Sequence, residues 1–326
     1  MTTSHQSFTP QPTSLATPST VPGALSGTAL VLGGGGSTGN AWLIGVIAAL
    51  TEAGMDVSRA DLVVGTSAGS TAAAQISGAS PARLLGDILS AVPPRRPPQH
   101  PAAAAADPAR TPARTPVRPV GDHLERTNRI IADSEDAADL RRRLGAAARD
   151  LAEIAGESAQ TRWRATVASR LPSPHWPHRR MLLTAVDAHT GEPVVFDRHS
   201  DVELADAVAA SCASGFAYRI GDHAFIDGGY RSNADNADLA AGYARVLVLS
   251  PFGGRSRTPA AWGLHLAAQV ENLRAGGSSV ETIVPSVSAE HLFGANAMDA
   301  SLRPPAARAG YEQGRAFVEE FAEFWH

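Results

Sequence analysis

The chain has 326 residues, 44% of them hydrophobic, a formal net charge of −4 and a pI near 6.3. It is long enough to bury one large core or two ordinary ones, and nothing in its charge favours nucleic acid as a partner. A single cysteine, Cys212, excludes an intrachain disulfide and fits a reducing compartment. All 28 cationic residues are arginine, which reads as coding bias. No run of 18 apolar residues occurs, and the first 20 residues show neither a basic cluster nor an apolar core, so the expectation is a soluble cytoplasmic protein.

Residues 1–26 are rich in Ser, Thr, Pro and Gln and read as a disordered tail, leaving 27–326 for one folded domain. The apolar run Thr28–Leu32 reads as a buried strand, and Gly33 to Gly39 as a loop. A helix is expected from Asn40 to about Ala53, with Leu43, Val46, Ile47 and Leu50 on one face and Gly54 as its stop. A second strand, Asp61 to Val64, runs into Gly65-Thr66-Ser67-Ala68-Gly69 and a short helix over Thr71–Ile76. Strand–helix–strand–helix is the beginning of a parallel sheet covered on its faces. Ser80-Pro81 is a good start for a further helix reaching Ser90.

Residues 93–121 hold nine prolines and five arginines and read as an insertion. Residues 122–170 are helical by pattern and form a candidate lid. Strands follow at Met181–Val186 and Val194–Phe196, with a helix at Val202–Ala210. Ala224–Ile226 forms a strand leading to Asp227-Gly228-Gly229. Arg245–Leu249 is a strand, Ala260–Arg274 a helix and Val280–Val284 a strand. The closing helix, about Ala306–Trp325, carries Phe317, Val318, Phe321, Phe324 and Trp325 on one stripe. Its polar side holds Glu319, Glu320 and Glu323, the wrong sign for an anionic membrane, so the stripe is expected to dock on the core.

Three glycine-bearing turns, each after an apolar strand, can converge at the carboxyl edge of a parallel sheet, where α/β folds bind ligands. G-x-S-x-G after a strand lifts one hydroxyl, that of Ser67, onto a sharp elbow. A serine needs a base to take its proton and donors aimed at the oxyanion that forms on the substrate. The run Gly34-Gly35-Gly36 can offer backbone N–H groups because glycine admits close approach and positive φ. Only two strands precede Ser67, which argues against the usual α/β-hydrolase topology and its late histidine. His223, four residues before Asp227, is the best placed histidine, but Asp227, ending a strand between Ile226 and two glycines, is the better base.

The set Gly34-Gly35-Gly36-Ser37-Thr38-Gly39, Gly65-Thr66-Ser67-Ala68-Gly69 and Asp227-Gly228-Gly229 resembles the patatin-like phospholipase family, with softer matches at Asn40–Leu50, Ala209–Ala213 and Asn236–Leu239. The resemblance implies a three-layer α/β/α sandwich with a mostly parallel central sheet, and cleavage of lipid acyl esters by a Ser–Asp dyad without histidine. It implies Ser67 as nucleophile, Asp227 as general base and the amides of Gly34, Gly35 and Gly36 as oxyanion hole, with Gly39, Gly65, Gly69, Gly228 and Gly229 supporting the turns. Neither a metal nor a cofactor is implied; the implied partners are lipid or other acyl-ester substrates, and a peripheral membrane contact is compatible with them. Two departures stand out. Thr38 occupies a place where the family carries Arg or Lys, removing a positive charge, and Ala210–Phe216 lacks the family's proline. A dinucleotide-binding reading of Gly34, Gly36 and Gly39 lacks an acid at the end of the second strand. A non-catalytic scaffold of the same fold, and an acyltransferase or thioesterase using Ser67, are the remaining alternatives.

Overall fold

The computed structural model of the chain describes residues 25–91 and 119–325. The expected tail lies outside them except for its last two residues, as does the insertion except for its last three. An eight-stranded sheet occupies the centre. It comprises β1 (Ser26–Leu32), β2 (Leu62–Gly65), β3 (Arg180–Asp187), β4 (Pro193–Phe196), β5 (Tyr218–Ile220), β6 (His223–Asp227), β7 (Tyr243–Leu249) and β8 (Ser279–Ile283). The path through it runs β5-β6-β3-β2-β1-β7-β8, with β4 paired to β3. The five strands β3, β2, β1, β7 and β8 are parallel, while β4, β5 and β6 pair antiparallel to their neighbours.

Side-chain alternation puts a different core on each face of the sheet. Leu30 and Leu32 of β1, Val63 of β2 and Leu247 and Leu249 of β7 enter one apolar cluster. Ala29, Val31, Leu62, Val64, Val246 and Val248 enter the other. The first face is covered by helices α1 (Gly36–Glu52), α2 (Ala68–Gly78), α3 (Pro81–Ser90), α7 (Leu204–Ser211) and α9 (Arg303–Trp325); the second is covered by α8 (Leu266–Ala275), through Leu266, Val270 and Leu273. These are the three layers. Between α3 and β3 lie α4 (Pro119–Ala132), α5 (Ala137–Ala155) and α6 (Glu157–Ala168). Leu140, Leu144 and Ala148 of α5 pack with Val186, Ala224 and Ile226 in a third cluster, and the Ala217 amide donates to Ala148 O at 2.9 Å. The indole of Trp163 on α6 donates to Ala209 O at 3.0 Å.

Helix α1 is buried from Thr38 to Leu50, so it has no wet face to carry charge. Its contact with α9 is close enough to require glycine. A Cβ on Gly45 would stand 2.1 Å from Ala307 O, and one on Gly310 would stand 2.3 Å from Trp42 O. Phe317, Val318 and Phe324 of α9 pack on the main cluster and Trp325 is buried in it. The apolar stripe therefore docks on the core. The side chains of Glu319, Phe321 and Glu323 lie outside the described residues.

Several boundaries differ from expectation; α2, for one, spans Ala68–Gly78 where Thr71–Ile76 was expected. Helix α1 starts at Gly36, not Asn40, so Ser37, Thr38 and Gly39 form its first turn, with Gly36 at φ 65°. Apolar periodicity begins only with Ala41, and a helical turn made of Gly, Ser and Thr has no sequence signature. The helix expected over Ala260–Arg274 is divided into a 3-10 turn, Ala260–Trp262, and α8, because Gly263 takes φ 68° between them.

The sheet register sets up the site. Leu183 of β3 is flanked by Gly65 of β2 and Phe196 of β4, and Ala185 by Val194 of β4 and Asp227 of β6. Strands β2 and β6 therefore lie on the same edge of β3 and meet head to head, with Thr184 between their ends. A buried polar network staples the junction. Asn236 Nδ2 donates to Thr66 Oγ1 (3.0 Å) and Gly228 O (2.9 Å), and Thr184 Oγ1 donates to Thr66 Oγ1 (3.0 Å). Asn236 sits at φ 55°, a conformation asparagine tolerates better than most residues.

Two substitutions test this account. Gly45→Ala is expected to lower stability by about 1–3 kcal/mol through overpacking against α9. Asn236→Ala is expected to cost a similar ~1–3 kcal/mol by orphaning buried acceptors. Urea unfolding followed by circular dichroism measures both; a midpoint unchanged from the parent protein would contradict the packing or the network.

Candidate active site

The turn after β2 is strained at one residue. Ser67 has φ 51° and ψ −113°, a region that costs a non-glycine residue roughly 1–3 kcal/mol and persists only where the surroundings enforce it. The enforcing contacts come from both sides of the residue. Its amide donates to Ser211 Oγ at 3.0 Å. Its carbonyl accepts from Cys212 Sγ at 3.1 Å, from Ser70 Oγ at 2.6 Å and from the Ser70 amide at 2.9 Å. Thus the end of α7 and the first turn of α2 clamp the elbow. Gly69 allows α2 to cross the end of β1, since a Cβ there would lie 1.9 Å from Leu32 O. Gly65 leaves room for Ser70 in the same way, at 2.7 Å from its Cα.

The clamp aims the Ser67 hydroxyl at Asp227. Ser67 Oγ donates to Asp227 Oδ2 at 2.8 Å. The other carboxylate oxygen accepts from the Gly229 amide at 2.8 Å, which fixes the carboxylate plane. Gly228 is required by proximity, because a Cβ on it would lie 2.1 Å from Thr184 Oγ1. Asp227 is 7% exposed. Burial pushes its carboxyl up to about 6, against the opposing pull of the Gly229 amide and the Ser67 hydroxyl. Such a group is ionised at neutral pH yet basic enough to accept a proton. His223 stands at the other end of β6, about 13 Å of strand away, with Nδ1 3.8 Å from Asp187 Oδ2.

The glycine loop lies directly across from the serine: a Cβ on Gly34 would approach Ser67 Cβ to 3.6 Å. The three glycines are not equivalent. The Gly34 amide is spent on Ala234 O at 2.7 Å, so it is not open to a ligand. The Gly35 and Gly36 amides make no hydrogen bond among the described residues, and neither does that of Ala68, next to Ser67. Gly39 and Gly35 both sit under Pro251, which holds the loop from the β7 side. The Gly33 amide donates to Leu249 O at 2.9 Å. Beside Gly33 lies Asp235, 1% exposed, whose Oδ1 has no hydrogen-bond partner. Burial pushes this carboxyl up to about 7 and the Ser250 hydroxyl pulls the other way.

The sequence singled out Ser67, Asp227 and the glycine loop, and the fold brings all three together. It did not single out Ser211 and Cys212 as the elbow's clamp, although the small-residue stretch that contains them was among the softer matches. Nor did it single out Arg303, whose Nη1 donates to Ser37 O at 2.7 Å and whose Nη2 donates to Asn40 Oδ1 at 3.0 Å. No local signal marks a residue that reaches the site from 266 positions away. Among the described residues no cluster of His, Cys, Asp and Glu suits a metal ion, and no helix is long and apolar enough to cross a membrane.

No curated protein matches the chain. Among solved structures, it is similar to VipD from Legionella pneumophila, at 13% identity over 91% of this chain and 67% of that one, with a TM-score of 0.39. It is also similar to a chain of the complex between full-length SpcU and full-length ExoU, from the type III secretion system of Pseudomonas aeruginosa. That match has 17% identity over 90% of this chain and 53% of the other, with a TM-score of 0.32, so the chain spans about half the length of its counterpart. The family model for patatin-like phospholipase matches residues 30–240, well over half of the chain, and takes in the glycine loop, the elbow and the Asp227 turn. By that match the chain belongs to the patatin-like phospholipase family.

Proposed function

We propose that the protein is a serine lipid acyl hydrolase, of the phospholipase A or lysophospholipase type, working through a dyad of Ser67 and Asp227. The observation that carries this reading is the 2.8 Å hydrogen bond from Ser67 Oγ to Asp227 Oδ2, made from a strained elbow that faces open backbone amides. Ser67 Oγ attacks the acyl carbonyl carbon while its proton passes to Asp227. The carbonyl oxygen takes up negative charge, and the Gly35 and Gly36 amides are the donors left to receive it. Collapse of the adduct expels the alcohol, which takes the proton back from Asp227, and leaves the acyl group on Ser67. Water then attacks the acyl-enzyme with Asp227 again as base, releasing the fatty acid. An acyltransferase differs only in the second step, where an alcohol takes the place of water.

Three measurements test the reading. A fluorophosphonate probe is expected to label Ser67, and Ser67→Ala to lose both the label and turnover of a p-nitrophenyl ester. Asp227→Asn is expected to slow turnover by at least ~10²-fold, the usual scale for losing a general base. Absence of labelling in a folded sample would favour a non-catalytic scaffold. The pH profile follows from the buried carboxyl. Protonated Asp227 cannot accept the serine proton, so kcat/KM is expected to be level above pH about 6 and to fall about tenfold per unit below it. A limb centred near the ordinary carboxylate value would remove Asp227 from the role.

A further inference from the structure

An exposed methionine stands over the glycine loop. Met298 is 61% exposed, whereas Met55 and Met181 are buried in the core and Met1 lies outside the described residues. The segment that carries Met298 is fastened to the loop. The Thr38 amide donates to Ala297 O at 3.0 Å, the Thr38 hydroxyl donates to the same oxygen at 3.5 Å, and Arg303 Nη1 donates to Ser37 O at 2.7 Å. At Gly36 the two stretches of chain touch. A Cβ built there would lie 2.8 Å from Ala297 O and 3.0 Å from Met298 Sδ. The sulfur therefore fills the space into which a side chain at position 36 would grow.

Single exposed apolar side chains are ordinary on a protein surface. This one is set apart by the unpaired Gly36 N–H, one bond from the Cα that the sulfur overhangs. A thioether is a weak acceptor and leaves such a donor unsatisfied. A sulfoxide is a good one. In its formation a sulfur lone pair attacks a peroxide oxygen, the O–O bond breaks and an S–O bond forms. The departing oxygen leaves as water with both peroxide protons. Sulfur is oxidised by two electrons and the peroxide is reduced by two, and the once apolar side chain now ends in a polar acceptor. Methionine is unbranched with three rotatable bonds, so the new oxygen can swing toward the loop.

Exposure makes the reaction selective, because oxidation follows access of the peroxide to sulfur. The other sulfur near the site is poorly placed to compete. Burial pushes the Cys212 thiol up to about 11, which keeps it in the unreactive protonated form.

We propose that Met298 is an oxidation site through which peroxide switches the catalytic centre off: its sulfoxide oxygen accepts from the Gly36 amide and occupies a donor that the substrate's carbonyl oxygen needs. This rests on the reading of Gly35 and Gly36 as oxyanion donors, and adds a reversible regulation to that same site. An exposed sulfoxide displaces nothing from the core, so the fold is unaffected and reduction restores the open amide.

The test follows oxidation and its effect separately. The protein and its Met298→Leu variant are treated with hydrogen peroxide until peptide mass spectrometry finds Met298 of the parent fully oxidised. Turnover of a p-nitrophenyl ester is read against each protein's own untreated sample. The parent is expected to lose about tenfold or more, less than the ~10²–10³-fold for deleting an oxyanion donor outright, and the variant less than about twofold. Methionine sulfoxide reductases, one for each sulfoxide epimer, should restore the parent. Equal losses in parent and variant, full turnover with Met298 oxidised, or a loss that outlasts reduction of Met298 would each overturn the proposal. Amide hydrogen exchange gives a readout that needs no turnover. The Gly36 N–H of the oxidised parent is expected to exchange about tenfold more slowly, the scale of one hydrogen bond; an unchanged rate removes the contact even where activity falls. Fluorophosphonate labelling of the untreated protein keeps the two readings apart. Labelled Ser67 with an unchanged Gly36 amide removes the switch only, and a slowed amide in a protein that never labels removes the role of Ser67 only.

Discussion

Strands β2 and β6 approach each other along one edge of β3 and stop with a single residue, Thr184, between them. Two residues of β-strand span about 6.6 Å, too little for either chain to continue straight. Each must leave the sheet at once. β2 does so through the Ser67 elbow into α2, and β6 through Gly228 into the turn that reaches Asn236. The 2.8 Å contact between Ser67 and Asp227 is thus a result of strand register, and any slip along β3 would break it. The network of Thr66, Thr184, Asn236 and Gly228 prevents that slip. It is completely buried, so its groups have no water to turn to.

Several features of the site are unfavourable taken singly. Ser67 is strained, Asp227 is buried with two donors to satisfy it, and Asp235 is buried with one oxygen unanswered. Their cost falls on a scaffold with large reserves: α1 is covered on nearly every side, and α9 lies along it at glycine-limited distance. Rigid packing below the sheet edge and tension at the edge belong together. Without the first, the elbow would relax to an ordinary turn and the serine would lose its partner.

What could be read from the sequence follows the range of the interactions involved. Strand runs such as Leu62–Val64 and Val246–Leu249 are marked by local composition. So are the three glycine turns, because each must reverse the chain in a few residues. The start of α1 inside Gly36–Gly39 was not legible, since a glycine run normally signals a loop and only contact with Pro251 and Ala297 makes it helical. The division of labour among Gly34, Gly35 and Gly36 was hidden for the same reason. It depends on Ala234 O, which arrives from two hundred residues later. Ser211, Cys212 and Arg303 are ordinary residues until the fold places them.

Arg303 and Gly310 also bear on the order in which the molecule is completed. The loop next to Ser67 is braced by α9, which follows every strand of the sheet in the chain, so the strands that hold Ser67 and Asp227 are synthesised earlier. A nascent chain can therefore set its sheet in register well before the first turn of α1 receives its guanidinium brace and its covering helix. The corner that holds Ser67 and Asp227 is thus finished after the sheet that carries it.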